Sequence, residues 1–334
     1  MKNKVFVMAI VLLILTVPVS FVAARGAQAG SGEKTVAGIV FQEDQFMKLL
    51  SLGYADAARE AGFRILQANT NNDQAREAEL INTYVDQKVA GIAIAPLSAD
   101  SSVATLRRAS DAGVRIAVTN INLSNAPFIV GGYTSDDKNL GSTVGAAAAE
   151  FIRTRLGGKA KIAILAFYTL LPAQAAARVD GFKEAILKVN PDVQFLDPQE
   201  AWLQDVAVQK AGDLLTANPD IDIIYGANDG GTIGSVMAVK NAGRAGRTFV
   251  FGIDTGDQQI AMLRDSDNVL QAVTGQDPYS QGYNAMKVLA DAINGRDVSG
   301  TQGKTVIVDG LLVSRSNPAG IDEFEKELAA KLAR

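Results

Sequence analysis

Asn228 and Asp254 each stand directly after a short apolar run, residues 221–227 in the first case and 248–253 in the second. A β-branched, apolar run followed by a polar pair, Gly230-Gly231 and the helix-like segment 232–241 reads as a parallel strand emptying into a loop. In open α/β sheets that carboxyl edge is where ligands bind. Carboxylate and amide groups placed there suit small polyhydroxylated molecules, because each ligand hydroxyl both donates and accepts. Bond-making chemistry has little to work with. The chain contains no histidine and no cysteine, which removes Ser-His and Cys-His nucleophiles, His-ligated zinc, imidazole bases and thiolate sites together. It also has no GxGxxG after a strand, no P-loop and no paired Asp/Glu motif. These residues point to binding before catalysis, with no cofactor and no metal.

The elements that must carry them alternate. With 334 residues, 48% hydrophobic and 20% charged, the chain is long enough for two domains with cores of their own. Strand-like segments fall at 35–41, 63–68, 91–95, 115–119 and 128–133, separated by helix-like ones. In the first helix Phe46, Leu49, Leu50, Tyr54, Ala57, Ala58 and Ala61 recur at helical spacing, and Gly62 supplies a stop. An alanine-rich helix, 139–156, opens a second series with strands at 161–167, 193–196, 221–226, 248–253 and 270–273. A helix at 278–294, an extended segment at 305–313 and a terminal helix at 322–332 complete the reading. Strands that are apolar throughout belong to parallel sheets covered on both faces, and two series imply two lobes.

Lys2 and Lys4, the apolar run 5–17 and then Ala27-Gln28-Ala29 form the pattern of a secretory signal peptide, residues 1–29. Residues 5–24 could alternatively serve as an uncleaved anchor, but Pro18, Ser20 and the small-residue site favour cleavage after Ala29. Of the 32 basic residues, Lys2, Lys4 and Arg25 would then be lost, leaving 29 against 36 acidic ones and a net charge of −7. Such a chain is a poor partner for nucleic acid or anionic lipid. Without cysteine there is no disulfide framework and no lipid-modified cysteine behind the leader, which favours a free periplasmic protein.

Several short patterns follow in order: Phe46 with Gly53; Ser135-Asp136 with Gly141; Arg178-Val179-Asp180-Gly181-Phe182; Leu214-Leu215 and Asn218-Pro219-Asp220 ahead of Asn228-Asp229; Gly252-Ile253-Asp254; and Gln276 with Gly282. Together they resemble the periplasmic sugar-binding proteins of ABC transporters, the type I group that includes the ribose-binding proteins. The resemblance implies an α/β fold of two doubly wound parallel-sheet lobes joined by three crossovers. These fall near Ser135-Asp136, Gln276-Asp277 and Asp309-Gly310. The first lobe is then 35–135 with 277–309, and the second 136–276 with 310–334.

The same resemblance implies ligand contacts. Trp202, the only tryptophan, lies among Glu200, Gln204 and Asp205, a polarity that suits a cleft rim. It would cover a sugar face, as would Phe46. Arg178 would bridge two hydroxyl oxygens with its planar fork, and its truncation to alanine is expected to abolish binding with the fold intact. Asn228, Asp254 and Gln276 complete that side. The first lobe departs from the ribose type. Where an Asp-Arg pair follows the fourth strand in that type, this chain reads Thr119-Asn120-Ile121-Asn122, and Glu43-Asp44 stands where the opening loop has Asn. Asn120 and Asp44 are kept as contacts. Gly256-Asp257 reads as a turn, Glu60 as a solvated face and Asp100-Ser101-Ser102 as a helix cap.

Three functions compete. A monomeric transport receptor would capture a neutral sugar or polyol and deliver it, closed, to an ABC permease, with a chemoreceptor as a further partner. A ligand-sensing core of the LacI type would need a DNA-reading domain where this chain has a leader. An enzyme acting on a small polyol would have to rely on carboxylates or lysine. Export and cleavage should yield a soluble protein beginning at Gly30; intact mass of the secreted species checks this, and a full-length, membrane-bound product would refute it.

Overall fold

The structure is a computed structural model that describes residues 33–123 and 125–333; the leader 1–29 and its cleavage point lie outside them. The first series is β1 (Thr35–Val40), α1 (Gln45–Glu60), β2 (Arg64–Asn69), α2 (Gln74–Asp86), β3 (Gly91–Ile94), α3 (Ser101–Asp111), β4 (Arg115–Thr119) and β5 (Ile129–Thr134). The second begins with α4 (Asp137–Arg155), β6 (Lys161–Ala166), α5 (Pro172–Leu187), β7 (Gln194–Phe195), β8 (Gln199–Glu200) and α6 (Gln204–Ala217). It continues through β9 (Ile223–Gly226), α7 (Asp229–Asn241), β10 (Phe249–Ile253), α8 (Asp257–Arg264) and β11 (Leu270–Gly275). After these come α9 (Pro278–Ile293), β12 (Thr305–Ile307), β13 (Leu311–Ser314) and α10 (Pro318–Leu332).

Two sheets result, ordered β2-β1-β3-β4-β5-β12 and β7-β6-β9-β10-β11-β13, with β8 also on β6. Both follow one plan, in which the chain winds outward in both directions from β1 or β6. The last strand of each comes from the 305–314 segment: β12 pairs with β5 in parallel and β13 with β11 antiparallel. In such a sheet the loops on either side of the switch point diverge at the carboxyl edge and leave a crevice. The central strands β3, β9 and β11 are buried at every position, as sheets covered by helices on both faces require.

Helices start where side-chain acceptors are available. Asp44, Asp73, Asp136, Asn228, Asp277 and Asn317 each accept a first-turn backbone N–H, satisfying a donor that has no partner within the helix. Two helix pairs cross closely enough to exclude a side chain. A Cβ on Gly141 of α4 would stand 2.0 Å from the Arg178 carbonyl oxygen in α5, and one on Gly282 of α9 would stand 2.1 Å from that of Leu50 in α1. The chain passes between the sheets three times, between Thr134 and Asp137, Gly275 and Pro278, and Ile307 and Leu311.

Two local expectations are corrected, and a third, the helix cap at Asp100, holds in position with a different set of bonds. Gly256-Asp257 is the start of α8 rather than a plain turn. Asp100 occupies the N-cap of α3 without a side-chain bond; Ser98 Oγ accepts from Ser101 N, while Ser102 Oγ donates to the buried carboxylate of Glu77. Glu60 is not merely solvated, because it accepts a hydrogen bond from Tyr283.

Candidate ligand-binding cleft

Asp44, Phe46, Asn120, Arg178, Trp202, Asn228, Asp254 and Gln276 all line one cleft between the lobes, together with Phe41, Gln42, Met47, Phe167, Leu170, Leu171 and Gln174. The polar ones stand just beyond the carboxyl ends of strands: Gln42 and Asp44 after β1, Asn120 after β4, Asn228 after β9, Asp254 after β10 and Gln276 after β11. Asn120 and Asp254 hold left-handed backbone conformations, with φ of 67° and 77°. Such geometry is costly for a residue with a Cβ, and asparagine and aspartate tolerate it best. It turns each side chain off its strand into the crevice.

Arg178 is 5% exposed and is fixed from three sides. Its Nε donates to Asp137 Oδ1 at 2.8 Å, its Nη1 donates to the Ala227 carbonyl at 3.0 Å, and its Cζ lies 5.2 Å from the centre of the Phe167 ring. Among the described residues no hydrogen bond uses Nη2. Asn228 caps α7 by accepting from Gly231 N and donates through Nδ2 to the Trp202 carbonyl at 3.0 Å, which holds the segment carrying the half-buried indole. Asp254 accepts from Gln276 Nε2 at 2.8 Å and from Asp229 N at 3.0 Å. Asp44 caps α1 through Met47 N at 2.8 Å and also accepts from Gln42 Nε2. Phe46 lies in the first-lobe core with one face to the cleft.

Among the described residues several buried polar atoms have no hydrogen-bond partner here: Gln42 Oε1, Asn120 Nδ2 and Gln174 Oε1 in the cleft, and Asp229 Oδ1 in the adjoining pocket. Leaving a buried donor or acceptor unbonded costs roughly 1–3 kcal/mol, and the three amide atoms that line the cleft are within its walls rather than in a packed core. The carboxylates there are also poorly compensated. Burial pushes the Asp44 carboxyl up to about 6, with Met47 N–H opposing and Asp254 adding repulsion. Burial, then repulsion from Asp254 and Asp44, pushes Asp229 up to about 7. Burial raises Asp254 as well, against the pull of Arg178. Among the described residues no group of three or more His, Cys, Asp or Glu side chains could hold a metal ion.

The sequence reading missed Gln42, Gln174, Leu170 and Leu171. Gln174 lies one helical turn ahead of Arg178, so i,i+4 spacing placed it on the same face of α5. Leu170-Leu171 is an apolar pair in a strand-to-helix loop, where polar residues are the rule.

Truncation of Arg178 would remove a buried ion pair as well as a group facing the cleft. It would strand the Asp137 carboxylate, 14% exposed, without its counter-charge, and removing one partner of a buried pair costs about 3–5 kcal/mol. Arg178→Ala should therefore lower the thermal midpoint markedly, as calorimetry of the ligand-free protein would show; an unchanged midpoint would refute the structural role. A second outcome concerns pH. Asp44 and Asp229 ionise more readily in the unfolded chain, near 3.8, than in the folded one. The stability their protonated forms contribute is present in full below that value and is lost as pH rises through 6 and 7. Stability should fall between about pH 4 and 7, and Asp229→Asn should flatten that fall; an identical pH profile in the variant would refute the assignment.

Residues 38–297 match the family described as periplasmic binding protein domain. The ABC transporter periplasmic-binding protein YphF of Escherichia coli (strain K12) is 29% identical over 259 residues, covering 75% of this chain and 77% of its own. The xylitol-binding protein of Mycolicibacterium smegmatis is 27% identical over 248 residues, covering 73% of this chain and 68% of its own. Among solved structures, an ABC transporter solute binding protein from Bacillus halodurans C-125 with bound myo-inositol superposes with a TM-score of 0.79 at 21% identity, over 89% of this chain and 99% of that one. The family match takes in the strand ends from β1 to β11 that form the cleft, and the chain belongs to the periplasmic binding protein family.

Proposed function

We propose that the protein is the solute receptor of an ABC importer, which captures a neutral monosaccharide or polyol between its lobes in the periplasm and delivers it, closed, to the permease. The observation that carries this reading is the set of unpartnered buried amide atoms in the cleft: Asn120 Nδ2 lacks an acceptor, and Gln42 Oε1 and Gln174 Oε1 lack donors. A hydroxyl group is both, so one ligand with several of them completes all three. Trp202 and Phe46 offer flat apolar surface to the C–H faces of such a molecule.

Charge argues for a neutral ligand. Arg178 is engaged by Asp137, while Asp44, Asp229 and Asp254 stand around the space and would repel an anion. The names of relatives agree with this class: one is a xylitol-binding protein and another a D-allose-binding periplasmic protein. The protein works by binding and release, as a monomer freed from its leader, without turnover.

A ligand that bonds groups of both lobes favours the closed form by contacts the open form cannot make. The test is a panel of neutral pentoses, hexoses and polyols, followed by the fluorescence of Trp202 and by small-angle scattering. The right member should change the emission and reduce the radius of gyration. A panel that moves neither signal, alongside binding of an amino acid or an anion, would overturn the assignment.

A further inference from the structure

The segment between β6 and α5 does more than connect them. Leu170 packs against core clusters of both lobes, and Leu171 does the same, reaching first-lobe residues grouped with Phe41, Phe46 and Met47. Four residues on, Gln174 Nε2 donates to the Asn120 carbonyl at 2.7 Å, a bond from the second lobe to the first. A carbonyl oxygen only accepts, so this bond fixes the amide orientation and leaves Gln174 Oε1 as the unpartnered atom. Gln174 is 9% exposed and Asn120 6%, so neither can turn to bulk water instead.

These three side chains also separate two spaces. On one side is the cleft around Arg178, Asp254 and Trp202, with a free volume of about 50 Å³; on the other is a cavity of about 690 Å³ bounded by the first crossover and the end of β12. Leu170, Leu171 and Gln174 line both. They are the wall between them.

We propose that Leu170, Leu171 and Gln174 form a specificity wedge, in which the leucines keep a ligand in the cleft from extending into the larger cavity by the first crossover, and Gln174 Oε1 accepts one of its hydroxyls. The proposal rests on the reading of the cleft as a sugar or polyol site. Its physical content has two parts. Apolar contact of the leucines with the first lobe favours the closed arrangement even without ligand, since opening would wet both side chains. Size is selected because a longer ligand has to displace packed aliphatic groups, whereas a ligand lacking a suitably placed hydroxyl leaves Gln174 Oε1 buried and unbonded.

The experiment compares the wild type with Leu170→Ala/Leu171→Ala and with Gln174→Met, which keeps the volume and removes the amide. Ligand-free scattering comes first. The double variant should have a larger radius of gyration than the wild type, whatever the ligand proves to be. Calorimetry then uses xylitol, D-allose, myo-inositol and maltose. The wild type should bind at least one of the first three and reject maltose. The double variant should gain maltose binding by about tenfold or more, and Gln174→Met should lose about tenfold in affinity for the monosaccharide-sized probe. Wild-type protein that binds no probe would count against the sugar reading, while the scattering arm would still decide the wedge. A double variant with unchanged radius of gyration that still rejects maltose would overturn the proposal, as would Gln174→Met that binds like the wild type.

Discussion

A guanidinium cannot be held out of water without a counter-charge close by, and the geometry around Arg178 follows from that constraint. Its partner Asp137 sits in the first turn of α4, where the unbonded N–H groups of the helix also favour an anion. The two meet because Gly141 and Gly181 let α4 and α5 cross with backbone in contact: a Cβ on either would lie within 2.2 Å of a carbonyl oxygen of the other helix. The second arm of the fork grips the Ala227 carbonyl at the end of β9, and from there Asn228 caps α7 and holds the Trp202 backbone. One buried ion pair thus ties the first crossover, the floor of the cleft and its aromatic rim into a single arrangement.

One carboxylate buried away from the cleft shows what full matching looks like. Glu77, 1% exposed, accepts from Leu97 N, Ser102 Oγ and Gln74 Nε2 and so joins α2, α3 and the loop after β3. That carboxylate is fully used by the fold. Asp229 Oδ1, Asn120 Nδ2 and Gln174 Oε1 are not, although they are buried in the same molecule. Natural chains leave such groups unmatched mainly where another molecule or a conformational change will match them. The left-handed backbones of Asn120 and Asp254 fall at the same seam, so strain and unmade hydrogen bonds coincide.

The three connections that join the lobes are themselves tied together. Gln281 Nε2 donates to Ser135 Oγ at 3.0 Å, linking the second crossover's helix to the first crossover, and Gly310 of the third lies against the Gly275 carbonyl. Lys331 of α10 pairs with Asp277, whose other oxygen caps α9. Short, mutually braced segments of this kind are the connections that absorb hinge motion in proteins whose two bodies close on a ligand.

Most of the architecture was legible in the residues. Apolar runs of strand length, helical spacing of residues such as Leu50 and Tyr54, and cap residues such as Asp136 and Asn317 are local signals, and local signals fix local structure. They set the α/β class, the two series and the strand ends at which Asn228 and Asp254 stand. The glycines of the resemblance were visible as letters, whereas their reason, backbone contact between helices far apart in sequence, was not. The rest needed three dimensions. That Arg178 is occupied by Asp137, 41 residues away, changes it from an isolated binding group into part of the framework. That Leu170 and Leu171 reach the core of the opposite lobe, and that Gln174 bonds Asn120 across 54 residues, depends on how two separately folded sheets face each other. Composition and periodicity report which face of an element is apolar; they carry no record of what that face will meet, and the shape of a cleft between lobes is made entirely of such meetings.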